Sequence, residues 1–119
     1  MLKEEKDILE ITRELVHALE EKKAENIVLL DLKGVSVFTD YFVICAGTSD
    51  RMLRSLLKAA KEAMHENFAL KGKIEGNPSN GWITVDYNSF VLHIFSPEQR
   101  SFYNLEELWA DGKILLRIQ

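Results

Sequence analysis

A chain of 119 residues, 46% hydrophobic and 29% charged, is long enough to bury one core and too short for two, so residues 1–119 read as a single domain. Fifteen Lys and Arg against nineteen Asp and Glu leave a net charge of −4, which excludes a uniformly cationic nucleic-acid binder. One cysteine cannot form an internal disulfide, no stretch approaches the roughly 18 unbroken apolar residues of a membrane span, and the opening MLKEEKDILE lacks a signal-peptide core, so a reducing cytoplasmic setting is expected.

Ile8, Ile11, Leu15, Ala18 and Leu19 recur at helical steps among Glu4, Glu5, Glu14, Glu20, Lys22 and Lys23, predicting an amphipathic helix over residues 4–24. The period then changes. Ile27 to Leu32 is a continuous apolar run of strand length, suited to burial on both faces, and Lys33 with Gly34 ends it. A loop through Thr39 leads to a second buried strand, Tyr41 to Ala46, stopped by Gly47. Thr48, Ser49 and Asp50 are N-cap residue types, and Met52, Leu56, Leu57, Ala60, Ala63 and Met64 behind them mark one face of a second helix. Its other face carries Arg51, Arg54, Lys58 and Lys61, so residues 51–73 hold six bases and two acids. Such a stripe, interrupted by Glu62 and Glu66, reads as a solvated face, and no strong direct nucleic-acid binding is expected of it.

The second half is acidic and β-rich, with one base and six acids over residues 74–111. Leu70 to Glu75 reads as a short strand, residues 76–81 as a loop, and Trp82 to Tyr87 with Phe90 to Phe95 as a hairpin closed by Asn88 and Ser89. Simple closure pairs Tyr87 with Phe90, Val85 with Leu92 and Ile83 with Ile94, putting these six on the core side. Trp82, Thr84, Asp86, Val91, His93 and Phe95 then share the opposite face, a mixed aromatic and polar surface that reads as one meant to be covered. Ser96 and Pro97 start a short helical turn through Arg100. Phe102, Tyr103, Leu105, Leu108 and Trp109 follow within eight residues, with Asn104 as a cap and Gly112 as a stop. The expected architecture is α/β, a mixed sheet of about five strands with flanking helices. The tail 113–119, with Ile114, Leu115, Leu116 and Ile118, reads as an extra strand or a self-association segment.

Reactive chemistry is sparse. His17, His65 and His93 have no partners at ligand spacing, so neither a metal site nor a bound cofactor is expected. His93 reads as a surface or interface side chain rather than a general base, and Cys45, inside a strand, as an inert small hydrophobe. The strand followed by Gly47, Thr48 and Ser49 could aim backbone donors at a phosphate. Nucleotidyl transfer from such a turn also needs paired carboxylates about ten residues on to hold a divalent metal. Leu57 to Glu62 supplies no such pair, and Asp86 alone cannot replace it, so the chain reads as a non-enzyme and the turn as a capped helix start. Trp82, Tyr103 and Trp109 are the types that anchor protein interfaces, though each could also complete a small core.

Two blocks of residues resemble one family. Asp31 to Ser36, Thr39 to Cys45 and Gly47 to Arg51 form the first; Glu75, Gly76, Trp82 to Asp86, Val91 to Phe95, Arg100, Tyr103, Leu105, Glu106, Leu108 and Trp109 form the second. In order and spacing, over about residues 5 to 110, they resemble the ribosomal silencing factor family, also called Iojap-like. The resemblance implies a fold related to the nucleotidyltransferases but without their catalysis. It also implies binding to the large ribosomal subunit through ribosomal protein uL-fourteen, obstruction of small-subunit joining when nutrients are scarce, and self-association as a homodimer. Carried over by motif, Trp82, Asp86, His93, Arg100, Tyr103, Leu105 and Trp109 are the expected docking residues. The family often has Gly-Asp where this chain has Asn88 and Ser89, and no family motif matches the tail 113–119. The alternatives are an assembly factor riding maturing large subunits and a nucleotide-binding module using Gly47, Thr48 and Ser49.

Overall fold

The computed structural model describes residues 2–119, with side chains from Ile8 onward; Met1 and the side chains of Glu4 and Glu5 lie outside the described residues. Helix α1 (Leu2–Glu21) ends three residues before the predicted limit of 24. Lys23 turns left-handed at φ 65°, and the Ala24 N–H donates back to the Leu19 carbonyl at 3.1 Å, closing the helix. Strand β1 (Glu25–Asp31) starts two residues before the predicted Ile27 and ends one before Leu32, whereas β2 (Tyr41–Ala46) and helix α2 (Asp50–Phe68) follow as read, with the Ser49 hydroxyl accepting from the Met52 N–H at 3.1 Å as the N-cap.

Strand β3 (Lys73–Asn77) starts later than the predicted Leu70. Ala69 caps α2 at φ 55° and the Leu70 N–H still donates to Met64, so the first residues after the helix close it rather than join the sheet. A 3₁₀ turn over Pro78–Asn80 leads to β4 (Trp82–Asp86) and β5 (Phe90–Phe95), which pair in the predicted register, Ile83 opposite Ile94 and Val85 opposite Leu92. Asn88, the first residue of the turn, adopts φ 76° itself, and its N–H donates to Asp86 Oδ1 at 2.7 Å. Two short helices follow, α3 (Pro97–Tyr103) and α4 (Leu105–Leu108), divided at Asn104 by a left-handed backbone at φ 45°.

The tail forms a sixth strand, β6 (Lys113–Ile118), antiparallel to β1, so the sheet has six strands rather than the expected five. Their order is β3-β4-β5-β2-β1-β6, antiparallel throughout except where β2 runs parallel to β5. The sheet is therefore mixed, and both of its faces are packed. On the first, Leu15 and Leu19 of α1 and Leu53, Leu56, Ala60 and Met64 of α2 cover Leu29, Val43, Ile83, Val85, Leu92 and Ile94. On the second, Val28, Leu30, Leu32, Phe42, Ile44 and Phe95 form a smaller core with Leu105 of α4, edged by Trp82, Val91 and Trp109. Alternation of side chains along β1 and β2 feeds both cores, which is why their sequences read as unbroken apolar runs.

Candidate docking surface

The second face of the sheet is where most of the predicted docking residues meet. After Phe95 the chain turns at Ser96, whose hydroxyl accepts from the Gln99 N–H at 3.2 Å, and runs back across this face as α3 and α4. That return path puts Tyr103 against Trp82, with ring centroids 4.3 Å apart, and Trp82 over Phe95 at 5.0 Å. The Trp82 Nε1–H donates to His93 Nδ1 at 3.2 Å, Phe42 meets His93 edge-on at 4.4 Å, and Trp109 meets Phe42 edge-on at 5.8 Å. Tyr103, Trp82, His93, Phe42 and Trp109 thus form a continuous chain of rings, a rigid base for whatever stands above it.

Two of the predicted contact residues are not surface residues. His93 is 6% exposed, and Leu105 is also 6% exposed. The expectation of His93 as a surface side chain fails because Phe42 and Trp82 close over it; burial pushes its pKa down to about 4, so the ring is neutral near neutral pH. Leu105 belongs to the second core. Both act on the surface by holding what covers them.

Arg100 is a tie between the two short helices. Its Nη2 donates to Glu106 Oε2 at 2.9 Å, with side chains 11% and 20% exposed. Burial works against the Glu106 charge, but the hydrogen bond and the guanidinium charge of Arg100 outweigh it, and the carboxyl is held below the usual range. Asp86 lies apart. It is exposed at the far end of β4 from Trp82 and shapes the hairpin turn.

Sequence reasoning missed several strongly exposed apolar residues. Phe102 is 77% exposed and meets the ring of Tyr103, itself 42% exposed, at 5.0 Å, and Leu108 on the next short helix is 72% exposed. The available signal was the count of five large apolar side chains between residues 102 and 109, more than two short helices can bury along one side. Val37 and Phe38 also stand out, at 92% and 83%, in the loop before β2. There the Ser36 hydroxyl accepts from the N–H groups of Phe38 and Thr39, at 3.0 and 3.4 Å, and fixes the turn that presents them.

The turn at Gly47, Thr48 and Ser49 has a packing role. A Cβ at Gly47 would sit 2.7 Å from Met52 Cγ and 3.1 Å from a Leu53 methyl, so glycine lets α2 close on the sheet. The Ser49 cap already engages the Met52 N–H at the helix start. Among the described residues no group of three or more His, Cys, Asp or Glu is placed to hold a metal ion, and no helix is long and apolar enough to cross a membrane. Arg51, Arg54, Lys58 and Lys61 are all exposed along α2, on the opposite side of the sheet from the ring network.

Comparison with known proteins agrees with the two blocks of residues. Residues 5–118 match the family model described as ribosomal silencing factor during starvation. The ribosomal silencing factor of Bacillus subtilis is 38% identical over 110 residues, covering 92% of this chain and 91% of its own. The mouse protein named for mitochondrial assembly of the ribosomal large subunit is 35% identical over 100 residues, covering 81% of this chain and 43% of its own. A crystal structure of a Chromobacterium violaceum protein superposes with a TM-score of 0.82 at 28% identity, covering 87% of this chain and 86% of that one. By the extent of the family match and by its identity to these relatives, this chain belongs to the ribosomal silencing factor family.

Proposed function

We propose that the side of the molecule where α3 and α4 cover the second face of the sheet docks on the large ribosomal subunit, at ribosomal protein uL-fourteen, and that the bound chain keeps the small subunit from joining. Translation then falls under nutrient limitation by steric occupancy, with no bond made or broken. The observation that carries this reading is the exposed apolar ridge of Phe102, Tyr103 and Leu108, standing on a rigid ring network in a ribosomal silencing factor. Aromatic side chains on a preorganised base lose little entropy on docking and carry much of an interface's binding energy. The net charge of −5 over residues 74–111 suits a basic ribosomal protein, aiding encounter and orientation more than raw affinity. Following the family resemblance, the chain works in the cytoplasm and self-associates as a homodimer.

Sedimentation with isolated large subunits tests the docking face. Replacing both Phe102→Ser and Leu108→Ser should weaken binding at least tenfold with the fold intact by circular dichroism, since both side chains are mostly exposed. Unchanged binding by the folded double variant would overturn this assignment. The name of the mouse relative favours a second reading, a role on maturing large subunits. That role needs the same docking surface and is separated from silencing by whether bound protein reduces joining.

A further inference from the structure

Beside the aromatic ridge, an open groove of about 470 Å³ runs between the β3–β4 edge and α3. Its floor comes from residues that share one sheet face: Glu75 lies directly opposite Thr84 in the β3–β4 ladder, and Trp82 is two positions along from Thr84. Its far wall is Gln99 and Tyr103, one helical turn apart on α3. The groove thus offers a carboxylate, the two aromatic side chains Trp82 and Tyr103 with ring centroids 4.3 Å apart and planes tilted by 42°, and side-chain oxygens, and none of its lining residues is basic.

The acidic group is available. Glu75 is exposed, and its ion pair with Lys73, 3.9 Å long between side chains 77% and 69% exposed, is of the kind that contributes little. Next to Glu75, Gly76 sits at φ 82°, where a Cβ would run into the Trp82 carbonyl oxygen, so glycine lets β3 lie close against β4 along this edge of the groove.

We infer that this groove receives an arginine side chain of the ribosomal partner, its guanidinium against the Trp82 and Tyr103 rings and its fork on the Glu75 carboxylate. This rests on the proposed docking of the same face. A planar cation that stacks on aromatic rings and donates in pairs to a carboxylate is the group that uses all of these features at once. A lysine would use the charge but neither the plane nor the fork. An acidic or phosphate-bearing partner would meet Glu75 and the surrounding negative charge, and is disfavoured here.

The test is affinity for isolated large subunits, measured across a series of KCl concentrations, for the wild type, Glu75→Gln, and the Phe102→Ser/Leu108→Ser double variant. Glu75→Gln keeps the shape of an exposed edge-strand residue, so folding is retained. The expected result is about tenfold weaker binding for Glu75→Gln and a shallower loss of affinity with salt. If Glu75→Gln binds as the wild type does while the double variant is weakened, the arginine site is wrong and the docking face stands. If neither set of changes weakens binding, both fall.

Discussion

The indole N–H of Trp82 donates to Nδ1 of His93 at 3.2 Å, joining a central ring of the proposed docking surface to a histidine buried beneath it. The bond requires Nδ1 to carry its lone pair, which fixes His93 as neutral with its proton on Nε2.

Stability should therefore fall in mild acid for a reason traceable to His93. Its pKa lies at about 4 in the folded protein and near 6.5 when exposed, so between those values the unfolded chain binds a proton that the folded chain refuses. The contribution is complete above pH 6.5 and is lost as pH falls toward 4, on the order of 3 kcal/mol in all. Denaturant titrations at pH 7 and pH 4.5 should show a smaller loss for His93→Gln than for the wild type. Equal losses would mean that His93 is not held neutral.

The Arg100–Glu106 pair predicts a different signature. Glu106→Ala removes the partner of a guanidinium whose side chain is only 11% exposed, and should cost about 2 kcal/mol. The double variant with Arg100→Met should recover part of that loss, because it removes the uncompensated charge. Because Glu106 has a lowered pKa in the fold, its contribution is present above the ordinary value of 4.5 and lost as pH falls through the lowered one. Urea denaturation of the single and double variants measures the coupling.

Two glycines separate backbone strain from a clash. Gly34 and Gly76 have φ of 80° and 82°, but a Cβ at Gly34 meets nothing within 4 Å, whereas at Gly76 it lies 2.2 Å from the Trp82 oxygen. Gly34→Ala should cost about 1 kcal/mol for the left-handed backbone alone, and Gly76→Ala clearly more, about 2 kcal/mol or above. Thermal melts of the two variants read the difference.

Cys45 should be silent until the protein unfolds. Burial pushes its thiol up to about 12, only partly opposed by the Arg100 charge, and the side chain is fully enclosed. A chromogenic disulfide reagent should label it at the rate of unfolding. Rapid labelling of the native protein would contradict the packing of β2.

The β4–β5 hairpin was legible in the sequence because its alternation has period two and its connection has two residues, which fixes register and face together. Its surroundings were not. Whether the face bearing Trp82 and His93 is open or covered depends on the path after Phe95, and no local pattern states that α3 and α4 turn back over it. For the same reason His93 read as a surface residue and Phe102 and Leu108 were passed over, although their exposure follows once Leu105 and Trp109 take the inward positions. The parallel pairing of β2 with β5 joins strands more than forty residues apart, beyond the reach of periodicity. The sixth strand was ambiguous because its apolar run is short and broken by Arg117; Arg117 and the leading Lys113 remain exposed on an edge strand, where charge discourages further pairing.

The central claim is that the ridge on the second face occupies a surface the small subunit needs. It is tested most directly by adding purified protein to isolated large subunits, then small subunits under joining conditions, and resolving the products on a sucrose gradient. The account predicts protein sedimenting with large subunits and a loss of joined ribosomes that the Phe102→Ser/Leu108→Ser variant does not produce. Protein bound to large subunits with joining undiminished would contradict it.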